Sequence, residues 1–155
     1  MAPCLTAAPW PWRATTPAPT IQPVCPPEQL IEAVAQLSAQ GLQLFAHCNG
    51  DAVIDLMIEA CRRAGLKPEQ DHRTVIIHSP FMAPGQLEQD VELGLHPSFF
   101  RVHAIFFGDV HLANLGPERA GRVSPMASAM ALGLLGGRAG AAAVRWRRRV
   151  AVQQG

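Results

Sequence analysis

Two short apolar runs in this chain each end in a histidine. Leu42-Gln43-Leu44-Phe45-Ala46 leads to His47, and Thr74-Val75-Ile76-Ile77 leads to His78. A strand over each run places an imidazole at the strand's carboxyl end, where parallel α/β folds carry their chemistry. Neutral imidazole is the commonest metal ligand, and two of them at adjoining strand ends are close enough to share one cation. His103, beyond a third candidate strand, strengthens the pattern. Spacing alone leaves a second reading open, in which each histidine is hydrogen-bonded and structural. A zinc or iron site needs three or more protein ligands, and the acidic partner expected of a hydrolase is not evident in the pattern. Cys48 adjoins His47, but neighbours on a strand face opposite ways, so its expected role is packing. His72, His96 and His111 have no spacing argument of their own.

The elements that would position these residues read as alternating helices and strands. Pro27 suits a first helical position, and Leu30, Ile31, Val34 and Leu37 recur at helical spacing up to Gly41. Strand 42–46 follows. Asn49 and Gly50 make a turn, and Asp51 is placed to cap a helix running to Ala64. Val53, Ile54, Met57, Ile58 and Cys61 form that helix's apolar stripe. Arg62 and Arg63 lie in its last turn, where the helix dipole favours cations, and Gly65 stops it. Strand 74–78 comes next, at the end of a crossover long enough for parallel pairing. A short helix over 84–93 turns Leu87 and Val91 inward and ends at Gly94. Residues 95–100 form a third strand, weakened by Pro97. Residues 103–111 read as a long loop with a helical turn covering a site, and a last short helix is expected over 128–132.

Composition bounds what this arrangement can be. A chain of 155 residues, 48% hydrophobic and 16% charged, is most simply one domain. The net charge of +1 conceals an uneven distribution. All twelve acids lie between Glu28 and Glu118, opposed there by five cations, Arg62, Arg63, Lys67, Arg73 and Arg101, so that segment carries −7. The flanks are basic. Residues 1–25 form a proline-rich arm expected to be disordered, residues 26–133 the folded domain, and residues 134–155 a basic tail also expected to be disordered. Trp146 within Arg145 to Arg149 reads as part of a solvated tail rather than a nucleic acid interface. Cys4, Cys25, Cys48 and Cys61 show no C-x-x-C spacing and no secretory leader precedes them, so a reduced, cytoplasmic protein is expected. No apolar stretch approaches the roughly 20 residues of a spanning helix, and no membrane role is expected.

The string His47-Cys48-Asn49-Gly50-Asp51-Ala52-Val53-Ile54-Asp55 resembles the H-x-N-G-D-x-A-I-D signature of the amidohydrolase superfamily, within the amidohydrolase family 3 group that includes N-substituted formamide deformylases. Val53 stands where that group usually has Ala. Arg73-Thr74-Val75-Ile76-Ile77-His78-Ser79 resembles the group's next strand. Pro97-Ser98-Phe99-Phe100, His103, Phe107-Gly108-Asp109 and His111 resemble the strand and loop after it, with Phe107 where Trp is common. Ser124-Pro125-Met126 and Ser128-Ala129 resemble the run before the last strand. The likeness covers about residues 26–133.

The resemblance implies an α/β fold, a partial (β/α)8 TIM barrel holding about strands five to seven with their helices. It implies that His47 and His78 bind a divalent metal, usually zinc, that His103, Phe107 and His111 lie near the substrate, and that Asn49, Gly50 and Asp51 shape the turn between. The implied partner is a small amide-type substrate whose carbon–nitrogen bond is hydrolysed. The family's strand-one H-x-H pair and its strand-four ligand have no counterpart, since residues 1–25 hold no histidine. The strand-eight aspartate is also missing: after Gly133 the sequence continues Leu-Leu-Gly-Gly-Arg-Ala-Gly and then Arg-Trp-Arg-Arg-Arg. No catalytic acid can therefore be named. A complete barrel takes about 250 residues. A fragment is expected, its Ala-, Gly- and Arg-rich ends resembling a high-GC gene truncated or read out of frame. Either it belongs to a living hydrolase or it is an inactive or partner-dependent remnant that self-associates through open barrel edges.

Overall fold

The computed structural model describes residues 25–134 and 149–152. The elements are α1 (Pro27–Ala39), β1 (Gln43–Cys48), α2 (Asp51–Arg63), a 3-10 turn (Pro68–Gln70), β2 (Val75–His78), α3 (Pro84–Leu93), β3 (His96–Phe99), α4 (Val102–Ala120), α5 (Met126–Ala131) and β4 (Arg149–Val152). The strands form one parallel sheet in the order β3-β2-β1-β4. β1 reaches β2 by way of α2, and β2 reaches β3 through α3. This is the repeating unit of a barrel wall, left open at two edges among the described residues.

Helices α1, α2 and α3 cover one face of the sheet. The predicted stripe of α2 is buried in full, at Val53, Ile54, Met57, Ile58 and Cys61, together with Ala60. It meets Leu30 and Val34 of α1, Leu87 of α3, and Leu44, Ala46, Cys48 and Ile76 of the strands. Fully burying a side chain such as Ile54, Ile58 or Leu44 contributes about 1.5–3 kcal/mol. Cys48 is fully buried in this layer, as expected of the residue beside His47. Pro97 sits in β3 because β3 is an edge strand, where a missing N–H is tolerated.

Several expectations shift. β1 begins one residue later and runs through His47 and Cys48. Val91 is 42% exposed, and α3 instead turns Gln86, Leu87, Asp90 and Leu93 inward. Two of these are polar, so an apolar stripe could not reveal the face. Residues 103–111 form no loop but lie within α4. Nothing between Arg101 and Leu115 breaks a helix except Gly108, which helices tolerate at a cost of about 1 kcal/mol. The helix bends only at Gly116, at φ +76°, just before Pro117. Cys25 and Leu134, assigned to the flanks, join the core, and four tail residues form β4 on the free side of β1. The rest of the arm and the tail, with Trp146, lies outside the described residues. No helix among the described residues is long and apolar enough to cross a membrane.

Asp90 has neither carboxyl oxygen hydrogen-bonded among the described residues, and burial pushes its pKa up to about 8. The unfolded chain loses this proton near pH 4, whereas the folded chain keeps it to about pH 8. The stability Asp90 contributes is therefore fully present below pH 4 and falls as pH rises across that window, at ~1.4 kcal/mol per pH unit. Asp90→Asn should flatten this dependence. Urea midpoints at pH 4, 6 and 8 measure it, and an unchanged slope in the variant would exclude Asp90 as its source.

Candidate metal centre

His47 and His78 come together at the carboxyl ends of β1 and β2. Their ring centroids are 4.4 Å apart, and the rings meet edge to face at 89°. The sheet's pleat would not produce this contact. In the parallel register Cys48 is the partner of His78, and His47 is the partner of Ile77. Paired residues share a face, so regular strands would send His78 toward the helices with Cys48 and His47 to the opposite face. The backbone resolves the conflict by leaving the extended region: φ is +71° at His78 and +40° at Ser79. Left-handed geometry at a non-glycine residue costs on the order of 1–3 kcal/mol.

Three hydrogen bonds hold that geometry. Ser79, fully buried, donates from Oγ to the Ile76 carbonyl at 2.9 Å and from its amide to the Cys48 carbonyl at 3.2 Å. The Phe100 amide donates to the His78 carbonyl at 3.3 Å. The strained turn is thereby tied to the ends of β1 and β3 as well as to its own strand.

Helix α4 lays a row of rings over the pair. His103, Phe107 and His111 are spaced by four residues and so share one helix face. His103 lies 6.4 Å from His78, 5.4 Å from Phe107 and 5.8 Å from His111, the last stacked within 3° of parallel. Phe100 bridges His78 and His103 at 5.3 Å from each. Phe81 closes the row edge-on to His111 at 5.0 Å. All five ring-bearing residues proposed from sequence thus lie in one cluster. Phe81 and Phe100 were not foreseen, having no spacing of their own.

The turn between β1 and α2 is fixed from two sides. Gly50, extended at φ −93°, takes the cap position assigned to Asp51, and Asp51 becomes the first helical residue. Its carboxylate pairs with Arg119 at 2.9 Å, tying the far end of α4 to the start of α2. Gln86 of α3 donates from Nε2 to the Asp51 carbonyl at 2.7 Å and to the Asp55 carboxylate at 2.6 Å. Gln86 and Arg119 were likewise unseen in the sequence, because their partners lie 31 to 68 residues away. The Asn49 amide oxygen is buried without a hydrogen-bond partner among the described residues.

Electrostatics favours neutral imidazoles. Burial lowers the pKa of His47, with His78 and His103 adding repulsion, and burial lowers His78, with His103 adding repulsion. His111 is lowered by burial and then by His103. Neutral imidazole is the form that binds metal.

The sequence model of a family described as the amidohydrolase family matches residues 7–137. The chain belongs to the amidohydrolase family. Among solved structures, this amidohydrolase chain is similar to an uncharacterized metal-dependent hydrolase from Pyrococcus furiosus, with a TM-score of 0.60 and 20% identity. The match covers 74% of this chain and 23% of the other. That likeness is one of fold, and the chain spans under a quarter of the length of that relative. No match was found among curated proteins.

Among the described residues, the amidohydrolase chain offers a metal one pair of adjoining imidazoles, His47 and His78. Among the described residues no group of three or more His, Cys, Asp or Glu is arranged to hold an ion. The pair itself should depend on the Ser79 bonds. Ser79→Ala is expected to lower unfolding free energy by about 1 kcal/mol and to weaken the ring contact. Urea unfolding and the ring-current shifts of the His47 protons test this, and a variant with unchanged shifts would show the left-handed turn to be held without Ser79.

Proposed function

We propose that this chain is part of the catalytic domain of a metal-dependent hydrolase acting on a non-peptide carbon–nitrogen bond, of an amide or an N-substituted formamide. His47 and His78 are two ligands of a divalent metal, with zinc suited to imidazole donors. One observation carries the reading: two imidazoles that a strained turn brings into contact at adjoining strand ends. When bound, the metal supplies a Lewis acid and a nucleophile competent at neutral pH.

The chain's own residues take supporting parts. His47 and His78, kept neutral by burial, hold the ion. Helix α4 covers them and presents His103, whose Nδ1 is buried without a hydrogen-bond partner among the described residues and can bind a polar group of the substrate. Phe107 and His111 extend that wall and orient the rest of the molecule. No acid follows Glu118 in the sequence, so no residue here is assigned the part of the strand-eight aspartate. Cys25, Cys48 and Cys61 are free, buried thiols, which supports a reducing compartment such as the cytoplasm.

A second reading, that these residues turn over nothing without a partner segment, is favoured by the two-ligand count. Two strand edges open among the described residues and an exposed apolar face on α4 support self-association of the isolated chain.

Equilibrium dialysis against zinc tests the metal reading. One weakly held equivalent is expected, lost in His47→Ala and in His78→Ala, with no hydrolysis of formamides by the chain alone. Zinc binding that survives both substitutions would overturn the ligand assignment, and turnover by the chain alone would overturn the second reading.

A further inference from the structure

A cavity of about 250 Å³ opens beside the histidine cluster, lined by Asp51, Phe81, Met82, Ala83, Glu118, Arg119 and Arg122. Phe81 belongs to both. One side of its ring meets His111, so the row of rings that starts at His47 and His78 runs through His103 and His111 to the cavity wall. The floor and wall are apolar, from Phe81, Met82 and Ala83. A cavity of about 150 Å³ is enough for benzene, so the volume suits one aromatic ring with a short attachment.

The charges around it are matched internally. Arg119 pairs with Asp51 at 2.9 Å, and both side chains are mostly buried, at 17% and 11% exposure. Arg122 pairs with Glu118 at 3.5 Å on the exposed rim. Two arginines and two carboxylates leave the lining with no net charge, and opening the buried Asp51–Arg119 pair for an ion would be costly. The lining therefore gives no net attraction to an ion of either sign, and its apolar part is what a neutral ring can use.

We propose that this cavity binds an uncharged aromatic substituent of the substrate, while the group to be hydrolysed lies at His47 and His78. The substrate class is then an amide carrying a neutral aromatic group on the side away from the reacting bond. This assignment rests on the hydrolase reading for the word substrate, but the site itself does not require metal.

The test uses metal-free chain, 13C-labelled at methionine methyls, titrated with benzamide, acetamide and benzoate. Benzamide is expected to shift the Met82 methyl saturably, acetamide not to, and benzoate to bind no tighter than benzamide. Ala83→Phe, which fills the cavity, should weaken benzamide by ~10-fold or more, with the core Met57 methyl unmoved as a check on folding. If that variant does not fold, Phe81→Leu replaces it, with the same loss expected. Arg62→Gln, outside the lining and at the opposite end of α2 from Asp51, should leave benzamide affinity unchanged. No saturable shift with benzamide, benzoate tighter by ~10-fold, or full affinity in the filled or Phe81→Leu variant would overturn the proposal. Because metal is absent, such a failure leaves the zinc experiment on His47 and His78 unaffected, and failure of the zinc experiment leaves this binding unaffected.

Discussion

The site depends on one backbone irregularity, the left-handed pair His78 and Ser79. A parallel sheet with regular pleat separates His47 from His78 by a full sheet thickness, because the register aligns His78 with Cys48. Two residues at positive φ cancel that separation. Their strain is offset by bonds reaching Ile76, Cys48 and Phe100, which belong to or adjoin three different strands. A geometry held this way cannot be adopted by one strand alone, so the imidazole contact exists only where β1, β2 and β3 are already in register. Fold and site are in this sense one event.

The helical layer adds the second constraint. Only two residues, Asn49 and Gly50, separate β1 from α2, so any rotation of α2 would swing them across the site. Gln86 prevents this from α3, and Arg119 from the end of α4. Both act on Asp51 or Asp55, in the first turns of α2, where a carboxylate also gains from the helix dipole. The buried stripe of α2 sets the helix on the sheet, and these polar ties set its rotation. Removing a buried charged partner is more damaging than the pair's net contribution suggests, since it strands the other charge. The polar ties therefore protect geometry more than they add stability.

How much of this was legible in the sequence follows from the range of each interaction. The strand ends at His47 and His78 and the stripe Val53 to Cys61 were readable because periodicity is local. The likeness to amidohydrolases placed His103, Phe107 and His111 beside them. The strained turn was not readable, since neither His78 nor Ser79 is a residue that announces positive φ. The inward face of α3 was misread at Val91 because its true face carries Gln86 and Asp90, polar residues buried for reasons of tertiary contact. Residues 103–111 of α4 were read as a loop with a helical turn because their apolar residues are distributed around the helix instead of along one stripe, and a stripe is the signal that sequence offers.

That same distribution gives α4 its meaning. A helix apolar on all sides is ordinarily a buried one, yet α4 has no buried residue among those described, and Ile105 and Phe106 are 80% and 74% exposed. Its inward rings, His103, Phe107 and His111, are accounted for by the site. Its outward residues have no counterpart among the described residues. The proposed metal pair shows the same shortfall in different chemistry among the described residues, with two imidazoles where an ion needs three or more ligands. Further barrel strands placed across α4 and the open sheet edges would meet both needs at once, covering Ile105 and Phe106 while delivering ligands to His47 and His78. In the reading proposed above, completing the ligand set and burying α4 are the same step, and an added segment that did one without the other would argue against it.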